Sequence, residues 1–539
     1  MLFKKRYFHL LGFFVLVVLL FLCPSCKKTN KDNNFILITL DTQRADFINC
    51  YRSGNSSTPN IDSLAKEGIL YENCFTLIPI TLPSHASILF SEPPHSLKNY
   101  NNGQIIKKRK KRPSIATIFK KNGFTTAAFV SLGVLNAKFG LNEGFDLYKD
   151  EFPPNRWYLT AGEVNQNVFP WLEENKDSKF FLWIHYSDPH DPYSPPDQPP
   201  DLKIFLNDQL IGEYCLGKYE TNEVILNLKN GKNQLRFEVE NGFVENPDYF
   251  QARLDKLDFS LTEEEKNVDI RLSRGWFIRR EQNVFFFKKP SIIDIYNKSN
   301  PHEIALTFRG KPLLPKEEIR ELYKKEVEYM DKEIGKLLNK LKHLGLFKKS
   351  HILVVGDHGE GLGERLNNYG DPHFGHIHFL YNIYMKVPLI IYNPNLRMKN
   401  IRLKEPVTLI DIAPTIMQIM GFKKLQHFQG RDLVSPKKYE KFIIFEETYE
   451  PEAAKNKFAG LLYPWHLIFT PGEKKFELYN LHADPEEKED IFGINPLTKE
   501  SRYLFRHVEA LSKEIMAKKK DIALDKKSLE MLKSLGYIK

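Results

Sequence analysis

Three segments of this chain share one pattern, a continuous apolar run that ends in an acid. "NFILITLD" closes on Asp41, "KFFLWIHYSDPH" on Asp188 and His190, and "SHILVVGDHGEG" on Asp357 and His358. A strand with one wet face alternates polar and apolar residues, so a run with no polar face needs apolar cover on both sides. Helical periodicity fills the intervals. "TPNIDSLAKEGI" and "SIATIFKKNGF" read as helices, the second stopped by Gly123. In 316–344, Leu322, Met330, Ile334 and Leu341 share one face before Gly345. Strands alternating with helices predict an α/β fold, a doubly wound, mixed but mostly parallel sheet flanked by helices. Ligands of such sheets bind beyond the carboxyl ends of the strands, where all three acidic segments fall.

The rhythm breaks at 201–310. "KIFLNDQLIGEY", "NEVILNLKNGKNQLRFEVE" and "NVFFFKK" alternate with period two and are punctuated by Asn-Asp and Asn-Gly turns. This predicts a β-sandwich inserted between two parts of the core, 33–200 and 311–435. Its alternatives are a carbohydrate-binding module and a lid or spacer. From 436 to 539, "KFIIFEET", "HLIFT" and "FELYNL" precede a Lys-rich helical tail, which predicts a small α+β lobe.

Residues 1–26 read as a targeting segment. Lys4, Lys5 and Arg6 precede the apolar run 10–22, and "CPSCKK" follows. Cys26 stands where a bacterial lipoprotein carries its lipid, and an uncleaved membrane anchor is the alternative. Either way the rest of the chain is exported, to the periplasmic or cell-surface side. Beyond Cys26 only Cys50, Cys74 and Cys215 remain, enough for one bridge at most. The net charge of +10 includes "KKRKKR" at 107–112, read as a solvated loop or a contact for anionic lipid or an acidic polymer. No nucleic-acid recognition motif accompanies it.

Four fragments, "DTQRAD", "TLPSHASILFS", "DPHDPY" and "GDHGEGLGE", hold the parts of a metal-assisted ester hydrolase. A divalent cation offsets the charge of a sulfate or phosphate ester and polarises it. Carboxylates suit calcium or magnesium, and a His beside them admits manganese or zinc. Histidines not bound to the cation can contact the anion or protonate the leaving alkoxide.

In these fragments and their order the chain resembles the sulfatase family of the alkaline phosphatase superfamily. "NFILITLDTQRADFINCY" resembles the opening strand with its metal acid, and "TLPSHASILFS" the sulfatase signature. "HFGHIHFLYNIYMKVPLIIY" resembles the segment that brings a basic residue to the sulfate; "LYNLHADPEEKED" and "LKSLGYIK" match its C-terminal features. The resemblance implies an alkaline-phosphatase-like fold, metal ligands at Asp41, Asp357 and His358, and a substrate-site His190. It implies His376 as the basic residue, with His378 as its near rival, and His85 as a substrate-binding position where Arg is usual. The departures concern mechanism. Thr81 stands where the family has the Cys or Ser oxidised to formylglycine, and Thr cannot form that aldehyde. Thr42 replaces a second acid, and the Lys expected after "TAAF" is absent.

A set of Asp41, Thr81, Asp357 and His358 is similar instead to superfamily members with a Thr nucleophile, the nucleotide phosphodiesterases and lipoteichoic acid synthases. There a cation lowers the hydroxyl pKa and the alkoxide attacks phosphorus. The expectation is one divalent metal without formylglycine, Thr81, His190 and His376 as catalytic residues, and a second metal if Asp188 joins His190 or His376. The substrate is an anionic ester, sulfate or phosphate, on a glycan for example. A phospho-group transferase acting on a surface glycan or lipid, and a non-catalytic binding protein, are the alternatives.

Overall fold

The computed structural model describes residues 33–518 and 532, except 108–111, 154–155, 192, 198–199, 218–220, 240–251, 261–266, 280–283, 299, 367–369, 371, 397, 435–441, 450–455 and 495–497. The targeting segment 1–26, most of the basic run and most of the terminal "LKSLGYIK" lie outside the described residues.

The core is a nine-stranded sheet built from β1 (Asn34–Leu40), β2 (Ile69–Phe75), β3 (Thr125–Phe129), β4 (Leu147–Lys149), β5 (Phe180–Tyr186), β6 (Ser350–Gly356), β7 (Lys386–Tyr392), β8 (Ile401–Leu403) and β9 (Val407–Thr408). The order is β8-β2-β7-β6-β1-β5-β3-β4, with β9 also on β2. Only β7 runs against its neighbours; the other pairings are parallel. Apolar residues alternate between two cores along each strand. Phe35, Leu37, Trp183 and Val355 point to one, Ile36, Ile38, Ile184 and Val354 to the other. This is why the runs carry no polar face.

Helices α1 (Pro59–Glu67), α4 (Ala161–Glu174) and α5 (Lys316–His343) cover the second core. Helices α2 (Thr81–Phe90), α3 (Ile115–Lys121) and α6 (Ile412–Ile419) cover the first. Gly345 follows α5 with φ +68°, the left-handed turn that lets the chain leave the helix for β6.

Strands between Leu202 and Pro312 join into one eight-stranded sheet. Its edge strands, Gln209–Tyr214 and Asn222–Leu228, come back together, so instead of the expected sandwich of two sheets a single sheet curls around a core of inward residues such as Ile204, Phe237, Ile293 and Phe308. Asn207 and Asp208 both take positive φ in the first hairpin, the turn that Asn-Asp announced. At the C-terminus Ile444–Thr448, Lys457–Leu462, Trp465–Thr470 and Lys475–Asn480 form an antiparallel sheet, with helix Lys499–Lys518 against it. Among the described residues no helix is long and apolar enough to cross a membrane.

Candidate active site

The carboxyl ends of β1 and β6 are neighbours in register, Leu40 beside Gly356, so Asp41 and Asp357 emerge side by side. Both are fully buried. With His358 they offer three ligand atoms that all lie within 4.8 Å of one another. Asp357 Oδ1 accepts the backbone N–H of Thr42 (3.0 Å) and of His358 (2.7 Å), which aims Oδ2 inward. Neither Asp357 Oδ2 nor Asp41 Oδ1 accepts a hydrogen bond. Two buried, unsatisfied carboxylate oxygens are costly unless a cation meets them.

His358 completes the set. Its Nδ1–H donates to Gly359 O (3.0 Å), so Nε2 carries the lone pair, 3.3 Å from Asp357 Oδ2 and 3.3 Å from Thr81 Oγ1. An imidazole held through its other nitrogen by a backbone carbonyl is a preorganised metal ligand. Burial lowers its pKa to about 4, which keeps it neutral. Thr81 opens α2, whose residues are all buried, rather than sitting in a loop. The residues fit a divalent cation bound by Asp41, Asp357 and His358, with the Thr81 hydroxyl beside it.

The electrostatics are lopsided. Burial would raise Asp41, yet its hydrogen bond with His185 and the surrounding imidazoles hold it well below the usual carboxylate range. Burial and the Asp41 charge push Asp357 well up. The structure thus separates two like groups that cannot both ionise without a counter-charge.

His376 and His190 stand next to this set. The His376 ring is 4.4 Å from that of His358 and 5.3 Å from that of His190. His376 Nδ1 lies 3.3 Å from buried Glu360 Oε2, and His190 Nδ1–H donates to Asp191 O (2.7 Å). The Asp191 carboxylate in turn pairs with Lys311 of the inserted sheet (3.1 Å), which joins the insert to the His190 loop.

Three of the expected residues have other partners in the structure. The His378 ring packs edge-on against that of His373, and Ile377 at φ +86° turns the chain between His376 and His378. His85 does not face a substrate. Trp183 Nε1–H donates to Thr39 Oγ1 (2.9 Å), Thr39 Oγ1 lies 3.1 Å from His85 Nε2, and His85 Nδ1–H donates to Thr81 O (2.8 Å). Both ring nitrogens are engaged, and burial lowers its pKa to about 3, so it is a neutral brace under Thr81. Both oxygens of Asp188 accept the N–H of Ala161 (3.0 and 3.2 Å) at the start of α4.

Two residues were missed from sequence. His185, opposite Thr39 across β1 and β5, has its Nε2 3.1 Å from Asp41 Oδ2. Its Nδ1 accepts the Ser131 N–H (3.3 Å), with the Ser131 hydroxyl at 2.8 Å, so the proton faces Asp41. A lone His in an otherwise apolar strand was the available signal. The other is Glu360, within "GDHGEG", pushed well up by burial and by Asp191.

Comparison with known proteins gives the family. A family model described as Sulfatase matches residues 33–422, and one described as N-sulphoglucosamine sulphohydrolase, C-terminal, matches 371–514. The chain belongs to the sulfatase family. It is therefore an ester hydrolase by family, with the alkaline-phosphatase-like fold expected of one. An N-acetylglucosamine-6-O-sulfatase of Bacteroides thetaiotaomicron is 23% identical to this sulfatase-family chain, over 90% of this chain and 88% of the relative. A structure solved with D-glucosamine-2-N,6-O-disulfate superposes with a TM-score of 0.58 at 16% identity, covering 90% of this chain and 99% of that one. The phosphonate monoester hydrolase of Agrobacterium radiobacter superposes with a TM-score of 0.57 at 15% identity, covering 91% and 96%.

Proposed function

We propose that the chain hydrolyses an anionic ester, sulfate or phosphate, borne on a glycan, with Thr81 as nucleophile beside one divalent cation. The observation that carries this is the 3.3 Å approach of Thr81 Oγ1 to His358 Nε2, at the mouth of two carboxylates with unsatisfied oxygens. The glycan is supported by the names of the relatives, the Thr chemistry by a signature that cannot yield formylglycine.

A cation held by Asp41, Asp357 and His358 would lower the Thr81 hydroxyl pKa and offset the ester's charge. The chain's own residues do the rest. His85, locked on the Thr81 carbonyl, fixes the first turn of α2 and with it the direction of Oγ1. His185 holds Asp41 ionised and oriented. Thr81 Oγ1, its proton passed to solvent water, bonds to sulfur or phosphorus, and the bond to the leaving oxygen breaks. His376 and His190 stand where they can pass that oxygen a proton. Water then releases the group from Thr81 and restores the hydroxyl.

We also place residues 1–26 as the export and anchoring segment, with Cys26 lipidated or the run 10–22 retained in the membrane. Loss of membrane association in Cys26→Ala tests the lipid.

The test of the reaction is turnover of aryl sulfate, aryl phosphate and bis-aryl phosphodiester with calcium, magnesium, manganese or zinc. Thr81→Ala is expected to abolish turnover with the metal still bound. Turnover retained by Thr81→Ala sinks the nucleophile. An added alcohol that captures the transferred group would make the enzyme a transferase through the same intermediate.

A further inference from the structure

The site lies at the carboxyl ends of the parallel strands, and the chain enters the fold at their amino ends. Ser350, Asn34, Phe180 and Thr125 start β6, β1, β5 and β3 in one register row. Residue 33, where the anchoring segment hands over, is therefore in the middle of that opposite face. Helices in such a fold run back against the strands, so the carboxyl ends of α1, α3, α4 and α5 collect there as well.

The face is basic. Exposed Lys121, Lys179, Lys342, Lys348, Lys349 and Lys399 sit directly before β3, β5, β6 and β8. Of the acids at this end, Asp146 pairs with Lys120, Glu173 with Lys340 and Glu67 with Lys399, which leaves exposed Glu174 and Asp177 against the more numerous lysines. Among the described residues no ion pair engages Lys121, Lys342, Lys348 or Lys349. Helix dipoles favour Lys121 and Lys342 at the ends of α3 and α5. They give no reason for Lys179, Lys348 and Lys349, which follow those ends. Half-exposed Met398 lies in the same rim.

We propose that this face docks on an anionic lipid surface, with the active site turned away from it. The inference rests on the anchoring role given above to residues 1–26. Charge complementarity and chain length carry it. From Cys26 to residue 33 the chain spans at most about 25 Å, so an anchored molecule keeps this face near the headgroups. Seven-residue strands put the metal acids about 23 Å further out, open to a substrate arriving from the far side.

The full chain, reconstituted into vesicles of phosphatidylcholine alone or mixed with phosphatidylglycerol, is followed by hydrogen exchange. Segments around 121, 179 and 342–349 should exchange several-fold more slowly with phosphatidylglycerol at low salt, and the difference should vanish at high salt. Each lysine contributes about fivefold to such a contact, so Lys342→Glu/Lys348→Glu/Lys349→Glu should remove the protection. Equal exchange in both lipids, protection kept by the triple variant, or equal protection by a soluble polyanion would overturn the proposal. Release from phosphatidylcholine vesicles by a high-salt wash fails the anchor alone, because the phosphatidylglycerol-dependent protection still decides the face.

Discussion

Replacing Asp357 by Asn should leave the metal-free protein as stable as before and abolish its response to metal. The facing oxygens of Asp41 and Asp357 lie within 4.8 Å. Two full charges at that separation repel by about 3–4 kcal/mol at an effective dielectric near 20. Without a cation the folded state avoids this by keeping a proton on Asp357, as its raised pKa indicates. Asn is close in shape to that protonated acid. Its Oδ1 can still accept the N–H groups of Thr42 and His358, and its Nδ2 can face Asp41. In chelator, urea unfolding of Asp357→Asn should stay within about 1 kcal/mol of wild type. With metal at about a hundredfold above Kd, wild type should gain about 2.7 kcal/mol, and the variant almost nothing. Asp41→Asn should behave differently, losing about 1–3 kcal/mol even in chelator, because His185 Nε2–H then loses its charged partner. Equal losses for both variants in chelator, or a full metal response in Asp357→Asn, would refute the reasoning.

His466 is buried between Glu446 (3.0 Å) and Glu487 (2.5 Å), and although burial lowers its pKa, the two carboxylates raise it from 6.5 to about 10. A raised folded pKa gives stability that is complete below pH 6.5 and lost as pH rises toward 10, while burial and Glu487 raise Glu446 and offset part of it. Thermal unfolding across that window should fall in wild type and flatten in His466→Gln. Gly359→Ala should destabilise by about 2 kcal/mol and weaken metal binding about tenfold, read by calorimetry, because a Cβ there would lie 2.0 Å from Ile383 O and shift the turn that holds His358. His376→Ala should slow esters with alkyl leaving groups about a hundredfold and aryl esters much less, in steady-state kinetics, if its imidazole passes the proton.

Legibility followed the range of the interaction. The acid-ended apolar runs announced β1, β5 and β6 because burial on both faces is written into each strand, and Asp41 and Asp357 came with them. His376 against His378 was not legible, since a positive φ at Ile377 decides which ring turns inward. The helix at Thr81–Phe90 was not read from the sequence: Pro83 and two serines mask it, and it forms because its whole surface is buried. Strand Lys457–Leu462 went unread for a similar reason, because its partners on both sides, not its own pattern, complete the sheet.

The departures from the family pattern are matched to one another, and this argues for an altered site rather than an abandoned one. Thr42 replaces an acid, and its hydroxyl donates to Pro189 O (2.5 Å) while its strained backbone, φ +52°, delivers an N–H to Asp357. Ser131 occupies the neighbourhood of the missing Lys and sets the tautomer of His185 that holds Asp41. His85, in place of Arg, removes a charge and braces the Thr81 carbonyl instead. Random loss would leave stranded polar groups at each of these positions. Here each replacement has a partner, and the unsatisfied oxygens of Asp41 and Asp357 are left facing the place where a cation would meet them.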